Sequence, residues 1–542
     1  MGDCTMIHPD LLVLNANIIT VNNRNTVVEA MAIENGCIAA VGTDREMKTL
    51  AGKHTLILDA RKRTVLPGFI DAHCHFLSLA GKQMLHVNCS ADKVHSIEDI
   101  LTALKKKSSC TPRGQWILGS SYDDTKLAES RHPTRWDLDR ATGEHPVHIR
   151  HVSGHIGVAN SKALREAGFT CDTKDPKGGS FDRNTDGELT GVCREEADFL
   201  FLSGMGGEKA IVPPPTDEQM REALRMACAQ YNAMGITSAG DAAVGPAEIG
   251  TYQYAAEAGG LTVRIYMMIL DTYLPLLKQL GFHTGFGNNY LRIGPIKLFV
   301  DGAIAGRTAW LSKPYEGRPD DFGIPTRSKE ATYQTIADAH TSGFQVAIHA
   351  NGDRAITMVL DVIEEILEKY PRQNHRHRIE HCTVVDEQIL KRIKKLGVVV
   401  LPFSTYVFQH GEKMSEYGSR ISKMFAHRSF LDYEIPVGGS SDNPCATQDP
   451  LVAIQTMVTR KSSKGDTLGP EQKINVSDAI RIYCMGSAYA SFEEHIKGSL
   501  EPGKLADFIV LEEDPNAVPT EEIHKISVQN TFVGGKQVYS KY

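Results

Sequence analysis

Residues 65–80 read VLPGFIDAHCHFLSLA, a stretch in which an apolar run leads directly into a group of polar side chains. The apolar run contains a Pro-Gly pair and ends at Asp71, and His73 and His75 follow with one residue between them. Alternate residues of a strand point to the same face, so both imidazoles can face one site while Cys74 points away. Such an H-x-H pair either holds a divalent metal or is incidental, and the rest of the chain decides between these interpretations.

Short apolar runs that end in polar or glycine residues recur through the middle of the chain. They read ITSAGDA, LTVRIYMMIL, IGPIKLFVDG, FQVAIHANGD, HRIEHCTVV, GVVVLPF and IPVGGSSDNP. Amphipathic helical patterns lie between several of them, as at 218–235 and 354–370. Strand–helix alternation repeated this often predicts an α/β fold with a parallel sheet. The number and length of the repeats predict a (β/α)8 barrel of the TIM type, whose site lies at the C-terminal ends of the strands.

Both termini differ from the middle because they are rich in short strand patterns with Asn-Gly and Gly-Gly turn signals. We therefore expect a small β-sandwich domain built from both ends of the chain, residues 1–64 and 495–542, beside a barrel domain of residues 65–494. About 160 residues separate the first barrel strand from the next, which is too long for one crossover. This distance predicts an insertion subdomain at about 80–230.

Composition excludes several classes of partner. The chain has 59 Lys and Arg against 66 Asp and Glu, a formal net charge of −7, so no nucleic acid and no anionic membrane surface is expected as a partner. No run of about 18 apolar residues predicts a membrane span, and the first residues lack the basic and apolar regions of a signal peptide. Eleven cysteines without paired spacing predict free thiols. A cytoplasmic location is the resulting expectation.

Polar side chains also lie at the ends of the later barrel strands. Lys297 lies in IGPIKLFVDG, His349 in FQVAIHANGD, His381 in HRIEHCTVV and Asp442 in IPVGGSSDNP. In a parallel barrel these side chains reach the same end as the two histidines of the first strand. Nitrogen and carboxylate donors that converge in this way suit Zn²⁺ or a similar divalent ion.

Each of these residues alone has an ordinary structural explanation. A single His349 or His381 is more often a satisfied core or loop histidine, and Asp442 can be a turn residue or helix cap. NHRHR (374–378) is an internal comparison, because its flanking Asn and Arg predict a solvated surface. Lys297 is different, since a buried lysine without a partner costs several kcal/mol and should be paired or chemically altered. The positions together, in barrel order, favour a metal site.

With these positions in place, the chain resembles the amidohydrolase superfamily of metal-dependent hydrolases and, more narrowly, its amidohydrolase-3 (YtcJ-like) branch. The resemblance runs nearly from end to end. It is carried by PGFIDAHCHF, SGHIGVANSKAL, GELTGVCREEA, KLFVDGAIAGRTAWLSKPY, HANGDRAI, GGSSDNPCATQDPLVAI and GSLEPGKLADFIVLEEDP.

The resemblance implies a ligand set for one or two divalent ions, with Zn²⁺ as the expected metal. The implied ligands are His73, His75, Lys297, His349, His381 and Asp442. Asp442 is also the implied catalytic acid and base. Lys297 matches the position that CO2 converts to a carbamate in members that hold two metals. Its alternative is an ion pair with Asp301, Asp442 or substrate.

The resemblance also implies substrate contacts outside the ligand set. His155 in SGHIGVAN matches a position that faces the substrate, so we expect it to be a second catalytic residue that stabilises the oxyanion, with Asn160 nearby. Asp123 in GSSYDDTKL and Arg307 in AGRTAW are further predicted substrate contacts. Each of the four has an equally simple alternative as a structural hydrogen-bond or ion-pair partner.

The predicted function is hydrolysis of a non-peptide C–N bond, in an amide, a formamide or an N-acyl amine, by metal-activated hydroxide. The expected partners are a small amide-like substrate and a second copy of the chain in a homodimer. An alternative is a cyclic amidine deaminase, which carries a catalytic Glu near the fifth strand, where this chain has Ala-Asn-Gly-Asp after His349. A non-catalytic amidohydrolase-like scaffold is disfavoured because all the ligand positions are filled.

Overall fold

The computed structural model describes residues 9–152, 154, 156–176, 179–202 and 211–541, except for the side chains at 79, 83 and 196. Its central element is a parallel sheet whose seven strands lie side by side in chain order. These strands are Phe69–Cys74, Ile236–Val244, Arg264–Leu270, Leu291–Phe299, Val346–Ala350, Arg378–His381 and Val399–Leu401. They correspond to the apolar runs that the sequence predicts as barrel strands.

Segment 436–442 closes this sheet into a barrel because it pairs with both edge strands. On one side Gly438 N donates to Val400 O (3.0 Å), which joins the segment to the last strand. On the other side Asp442 N donates to His73 O (2.9 Å), which joins it to the first strand. The predicted (β/α)8 architecture is thereby confirmed, and barrel closure itself places Asp442 beside His73.

Helices follow most strands of the barrel and also occur in the insertion and near the N-terminus. Their bounds are Asp44–Lys48, Phe76–Leu85, Ile97–Ser108, Arg135–Asp139, Ser161–Glu166, Glu196–Phe199, Asp217–Ala233, Pro246–Glu257, Leu274–Gln279, Lys329–Thr341, Asp353–Lys369, Glu387–Leu396, Thr405–His410, His427–Asp432, Pro450–Thr459, Val476–Arg481 and Ser487–Ala490. Within the described part of the chain, none of them combines the length and the low polarity that crossing a bilayer requires.

Local sequence signals explain where the barrel helices begin and end. The helix Asp353–Lys369 buries its apolar residues at three- and four-residue spacing, as the periodicity over 354–370 predicts. The next helix, Glu387–Leu396, begins where the Asp386 side chain accepts a hydrogen bond from Ile389 N (2.8 Å). It ends at Gly397, whose φ of 69° is the left-handed conformation that glycine adopts without strain.

Two further sheets are built from the ends of the chain. One has the order Cys37–Gly42, Ala30–Glu34, Leu11–Leu14, Leu56–Asp59, and the other Lys536–Ser540, Val528–Val533, Phe508–Leu511, Thr64–Pro67, Asn17–Ile19, Val27–Val28. Thr64–Pro67 pairs antiparallel with Phe508–Leu511, so both termini contribute to one sheet, as predicted. Side chains from both sheets share one core, in which the rings of Phe508 and Phe532 stack at 4.4 Å.

The long insertion after the first barrel strand is also confirmed, since residues 77–224 form a compact unit of their own. Its sheet has the order Gly179–Arg183, Leu189–Glu195, Ile156–Ala159, Val147–His151, Ile117–Tyr122, Val87–Asn88. This sheet shares an apolar core with the helix Ile97–Ser108, whose buried residues include Ile100 and Leu104.

The solvated surface predicted for NHRHR is wrong. His375 and His377 are only 5% and 0% exposed. The His375 ring donates from Nε2 to Leu396 O (2.8 Å) and accepts at Nδ1 from His377 N (2.9 Å). The polar neighbours in the sequence do not show that Leu396 O lies against the His375 ring or that the stretch is buried.

His377 also belongs to a chain of hydrogen bonds that requires neutral imidazoles. His340 Nε2 donates to Tyr370 O (2.8 Å), so His340 Nδ1 accepts from His377 Nε2 (2.8 Å). His377 Nδ1 in turn accepts from Val346 N (3.2 Å). A proton added to either ring would place two N–H groups against each other. Burial accordingly lowers the pKa of His340 and holds the pKa of His377 well below its ordinary value.

Acid should therefore destabilise the fold through these histidines. Their folded-state pKa values lie below the unfolded value of about 6.5, so the unfolded chain binds more protons as the pH falls below that value. We expect replacement of His377 by Gln to reduce the loss of unfolding free energy between pH 8 and pH 5.5 by about 1.4 kcal/mol. Urea unfolding of metal-free wild type and variant at both pH values measures this difference. An unchanged pH dependence in the variant would contradict it.

Candidate metal centre

Four of the predicted ligands converge at the C-terminal ends of the barrel strands. Asp442 Oδ1 lies 3.5 Å from His73 Nε2 and 3.6 Å from His75 Nε2, and Asp442 Oδ2 lies 3.9 Å from His381 Nδ1. His73, His381 and Asp442 each present a ligand atom within 4.8 Å of the others. Among the described residues His73 Nε2 and His381 Nδ1, both buried, have no hydrogen-bond partner. Donor atoms so close together, and not bonded to each other, fit a metal ion.

Burial raises the pKa of the Asp442 carboxyl, and positive charge at the positions of His381, His73 and His75 outweighs burial and holds this pKa well below its usual range. With a neutral His381 ring, a bound metal ion would supply that positive charge. Asp442 is therefore ionised at neutral pH, as a metal ligand and proton acceptor must be.

Lys297 is 1% exposed, and within the described residues its Nζ has no hydrogen-bond partner. The ammonium lies 4.8 Å from the centre of the Phe299 ring. Burial lowers the pKa of Lys297 to about 8, although the carboxylates of Glu380 and Asp442 oppose this effect. Lys297 is thus buried, and no hydrogen-bond partner satisfies it among the described residues, so of the two predicted outcomes, pairing or chemical alteration, hydrogen-bonded pairing is not what the structure shows.

The alternative partner Asp301 does not satisfy Lys297. Its carboxylate accepts hydrogen bonds from the backbone N–H groups of Trp310, Asn351 and Gly352, at 2.8–3.3 Å. Asp301 therefore ties together the loops after the fourth and fifth barrel strands.

His349 lies behind His381. Its Nε2 lies 3.1 Å from Gly302 O and 3.2 Å from Asn351 Nδ2, and its Nδ1 lies 2.9 Å from His381 Nε2. The contact with His349 holds the His381 ring with Nδ1 facing Asp442. Burial lowers the pKa of His349 to about 3 and that of His381 well below its ordinary value, so both rings are neutral. His349 thus orients a predicted ligand here, and its own role as a ligand stays a prediction.

Comparison with known proteins agrees with this donor set. The model described as "Amidohydrolase family" matches residues 56–539. The chain belongs to the amidohydrolase family. N-substituted formamide deformylase from Arthrobacter pascens is 30% identical to this amidohydrolase over 98% of both chains. Putative amidohydrolase YtcJ from Bacillus subtilis (strain 168) is also 30% identical, over 95% of this chain and 96% of that one.

Solved structures agree with the family. The crystal structure of an uncharacterized metal-dependent hydrolase from Pyrococcus horikoshii OT3 matches the amidohydrolase with a TM-score of 0.79 and 26% identity, over 94% of this chain and 99% of that one. The protein is therefore a metal-dependent hydrolase that acts on C–N bonds other than peptide bonds, as the sequence predicts.

Two of the site residues of the amidohydrolase adopt a left-handed backbone conformation that is rare outside glycine. His381 has a φ of 68° and Asp442 a φ of 51°. Such a residue costs about 1–3 kcal/mol and persists only where the surrounding structure enforces it. In the strand Arg378–His381, strict alternation would point Glu380 and His381 to opposite faces, yet both reach His73 or Asp442. The turn at His381 explains how two consecutive residues serve one site.

Sequence reasoning missed an ion pair that supports the centre. Glu380 Oε2 contacts His73 Nδ1, and Arg378 binds both oxygens of Glu380 at 2.7 and 2.9 Å. Burial raises the pKa of Glu380, but Arg378 and His73 outweigh it and keep the carboxyl ionised. The available signal was an arginine and a glutamate two residues apart, directly before His381.

A second buried carboxylate, Asp71, joins the first strand to the closing segment. It accepts hydrogen bonds from Ser441 N (3.0 Å) and Ser441 Oγ (2.6 Å). Burial raises the pKa of Asp71 to about 7, and the two bonds from Ser441 oppose that rise. The acidic residue that precedes the H-x-H pair therefore helps to fix the residue beside Asp442.

The predicted substrate contacts of the amidohydrolase are not brought together in the same way. Asn160 is fully buried, and its amide accepts from Val147 N and Ala163 N and donates to His145 O. These bonds use both ends of the amide inside the insertion, and the role of Asn160 toward substrate stays a prediction. His155 lies outside the described residues.

Asp123 and Arg307 both have partners within the chain. Asp123 accepts from Thr125 N (3.0 Å) and Thr125 Oγ1 (2.6 Å), which caps a short helix in the insertion, and it lies 4.0 Å from His151 Nε2. Arg307 donates to Glu416 Oε1 (2.9 Å) and is partly exposed. Their roles toward substrate stay predictions.

Proposed function

We propose that this amidohydrolase hydrolyses the C–N bond of a small N-substituted formamide or N-acyl amine. The observation that carries the proposal is the group of buried nitrogen atoms without partners, His73 Nε2, His381 Nδ1 and Lys297 Nζ, around the ionised carboxylate of Asp442. A relative that covers nearly the whole chain is named for action on N-substituted formamides, which supports this substrate class.

The proposed metal is Zn²⁺, because the donors are imidazole nitrogens and a carboxylate. His73, His75, His381 and Asp442 would hold one ion, and Lys297 and His349 would contribute to a second. A bound ion of this kind lowers the pKa of water toward neutrality and polarises a carbonyl group. Asp442 would accept the proton of the attacking water and deliver it to the leaving nitrogen, so that one carboxylate serves as base and then as acid.

Carboxylation of Lys297 is the proposed solution to its unsatisfied burial. In this step the ammonium first loses one proton, the freed Nζ lone pair forms a bond to the carbon of CO2 while one C=O π bond becomes a carboxylate oxygen, and Nζ loses a second proton, so a buried cation becomes an anionic oxygen donor. The unpartnered, fully buried amine and its neighbouring ligands support this assignment.

The deaminase alternative gains no support from the site. Glu380, a glutamate that contacts His73, has both oxygens bound by Arg378. It is therefore not available as a free acid at the substrate. The converging ligand atoms likewise disfavour a non-catalytic scaffold.

A substrate panel with metal analysis of the same sample tests the proposed function. We expect hydrolysis of N-substituted formamides and N-acyl amines, little action on dipeptides, and stoichiometric zinc. Activity should disappear with a chelator and return with Zn²⁺. Release of ammonia from cyclic amidines without amide hydrolysis, or a protein that purifies without metal and cannot be reconstituted, would contradict the proposal.

We also propose a cytoplasmic location and a homodimer for the enzyme. The ten cysteines in the described part of the chain are all free thiols, which supports a reducing compartment. The domain bounds 1–64 with 495–542, 65–494 and about 80–230 belong to the same proposal.

A further inference from the structure

We propose that Glu380 is a positioning residue for the metal centre. Together with Arg378, it fixes His73 as the tautomer whose Nε2 lone pair faces the ion, and its charge makes that nitrogen a stronger ligand. This inference rests on the proposed function, since it requires a metal at His73.

The contact between Glu380 and His73 determines which imidazole nitrogen carries the proton. Glu380 is an ionised acceptor, so His73 Nδ1 is the donor, and the neutral ring that binds a metal then has its lone pair on Nε2. Nε2 is the atom that faces Asp442, at 3.5 Å. A ligating histidine whose second nitrogen donates to a carboxylate is both oriented and made more basic by it.

The carboxylate cannot turn away from His73 because both of its oxygens are held. Arg378 Nε donates to Oε1 (2.7 Å) and Arg378 Nη2 donates to Oε2 (2.9 Å), a bidentate pair. Arg378 and Glu380 lie two residues apart on one strand and therefore share a face. Both are at most 1% exposed, so water does not compete for these bonds.

Arg378 also holds the main chain next to the ligand. Its Nη2 donates to Ala72 O (2.9 Å), and Ala72 directly precedes His73. The guanidinium thus connects the sixth barrel strand to the first, and the carboxylate is fixed relative to both the ring and the backbone of His73. The Arg378–Glu380 pair therefore holds both the ring of His73 and the main chain beside it. An ion pair that only stabilised the fold would not need these contacts.

The pair formed by Arg264 and Asp507 provides a matched comparison. Arg264 Nε and Nη2 bind Asp507 at 2.6 and 2.8 Å, and the two residues are 3% and 5% exposed. The geometry and burial are nearly those of Arg378 and Glu380. Asp507 otherwise accepts from Gly534 N, and no predicted metal ligand is among these contacts.

The test compares wild type with Glu380→Gln and Asp507→Asn. Zinc affinity is measured by competition with a chelator of known affinity, and thermal unfolding is measured on the metal-free proteins. Each substitution leaves a buried arginine without a counter-charge, so both should lower the Tm. Only Glu380→Gln should weaken zinc binding, by about 10–100-fold, while Asp507→Asn stays within about twofold of wild type.

A second variant keeps the test informative if the Glu380→Gln protein does not fold. Arg378→Met combined with Glu380→Gln removes both charges and leaves an amide oxygen that can accept from His73 Nδ1. This double variant should recover most of the lost Tm, because no buried charge is unpaired, and should still bind zinc about 10–100-fold more weakly than wild type.

The outcomes separate this inference from the proposed function. If wild type holds zinc and both Glu380 variants bind it as tightly, the inference is overturned and the proposed function stands. An equal loss of affinity in Asp507→Asn would also overturn it, since global stability would then explain the effect. A wild-type protein that binds no metal overturns the proposed function, and the inference with it.

Discussion

Replacing Asp442 with asparagine is expected to lower kcat/KM for the best substrate of the panel by at least about 10³-fold. Asparagine keeps the size of the side chain but lacks the negative charge that faces His73, His75 and His381. It also cannot take a proton from water and return it to the leaving nitrogen, a role that contributes about 10²–10⁴-fold. Steady-state kinetics of the zinc-reconstituted variant measure the effect.

Asp386→Asn is the matched control for this substitution. Asp386 caps the helix Glu387–Leu396 through a hydrogen bond from Ile389 N, and asparagine caps a helix as well as aspartate does. Its kcat/KM should stay within about twofold of wild type. An Asp442→Asn enzyme that retains more than a tenth of wild-type activity would overturn the assigned role of Asp442.

Replacing Lys297 with methionine should affect activity and stability in opposite directions. Activity should fall by about 10³-fold, and a protein that holds two zinc ions should retain one, because the second ion loses its bridging ligand. The free energy of unfolding of the metal-free variant should rise by about 1–3 kcal/mol, because an apolar side chain of similar volume replaces a buried cation that has no hydrogen-bond partner. Metal analysis, kinetics and urea unfolding give the three quantities.

Lys497→Met is the control for Lys297. Lys497 is also buried, at 4% exposure, but its ammonium is paired with Glu493 (2.7 Å) and donates to Ser238 Oγ (3.0 Å). Removing this lysine takes away the nearer of two cations that face the buried Glu493 carboxylate and leaves Arg292 at 3.6 Å, so it should destabilise the fold without changing the zinc content. A Lys297→Met enzyme with full zinc content and activity would show that Lys297 is not a ligand.

Much of the barrel could be predicted because its signals are local and periodic. The helix Asp353–Lys369 and the strand Val346–Ala350 follow directly from apolar spacing, and strand ends in a parallel barrel share one face of the molecule. The convergence of His73, His381 and Asp442 needed only that topology. Lys297 stood out because it lies inside an apolar strand, and its burial and lack of a partner agree with that interpretation. The family resemblance added the expected carbamate at this lysine.

The errors and omissions concern contacts between residues far apart in the chain. Glu380 binds a histidine 307 positions earlier, and no local pattern relates the two. His377 looked solvated because its neighbours are polar, yet its partners are a histidine and a backbone amide from other segments.

Because segment 436–442 closes the barrel, the candidate metal centre is completed only late in translation. Asp71 bonds to Ser441, 370 positions later, and the N–H of Asp442 bonds to the carbonyl of His73. A growing chain whose residue 442 has not yet left the ribosome already contains His73, His75 and His381. It still lacks Asp442 and the eighth strand of the barrel. The last strand of the barrel to be translated therefore carries Asp442, the proposed catalytic carboxylate, and a nascent chain should lack activity until this strand is in place.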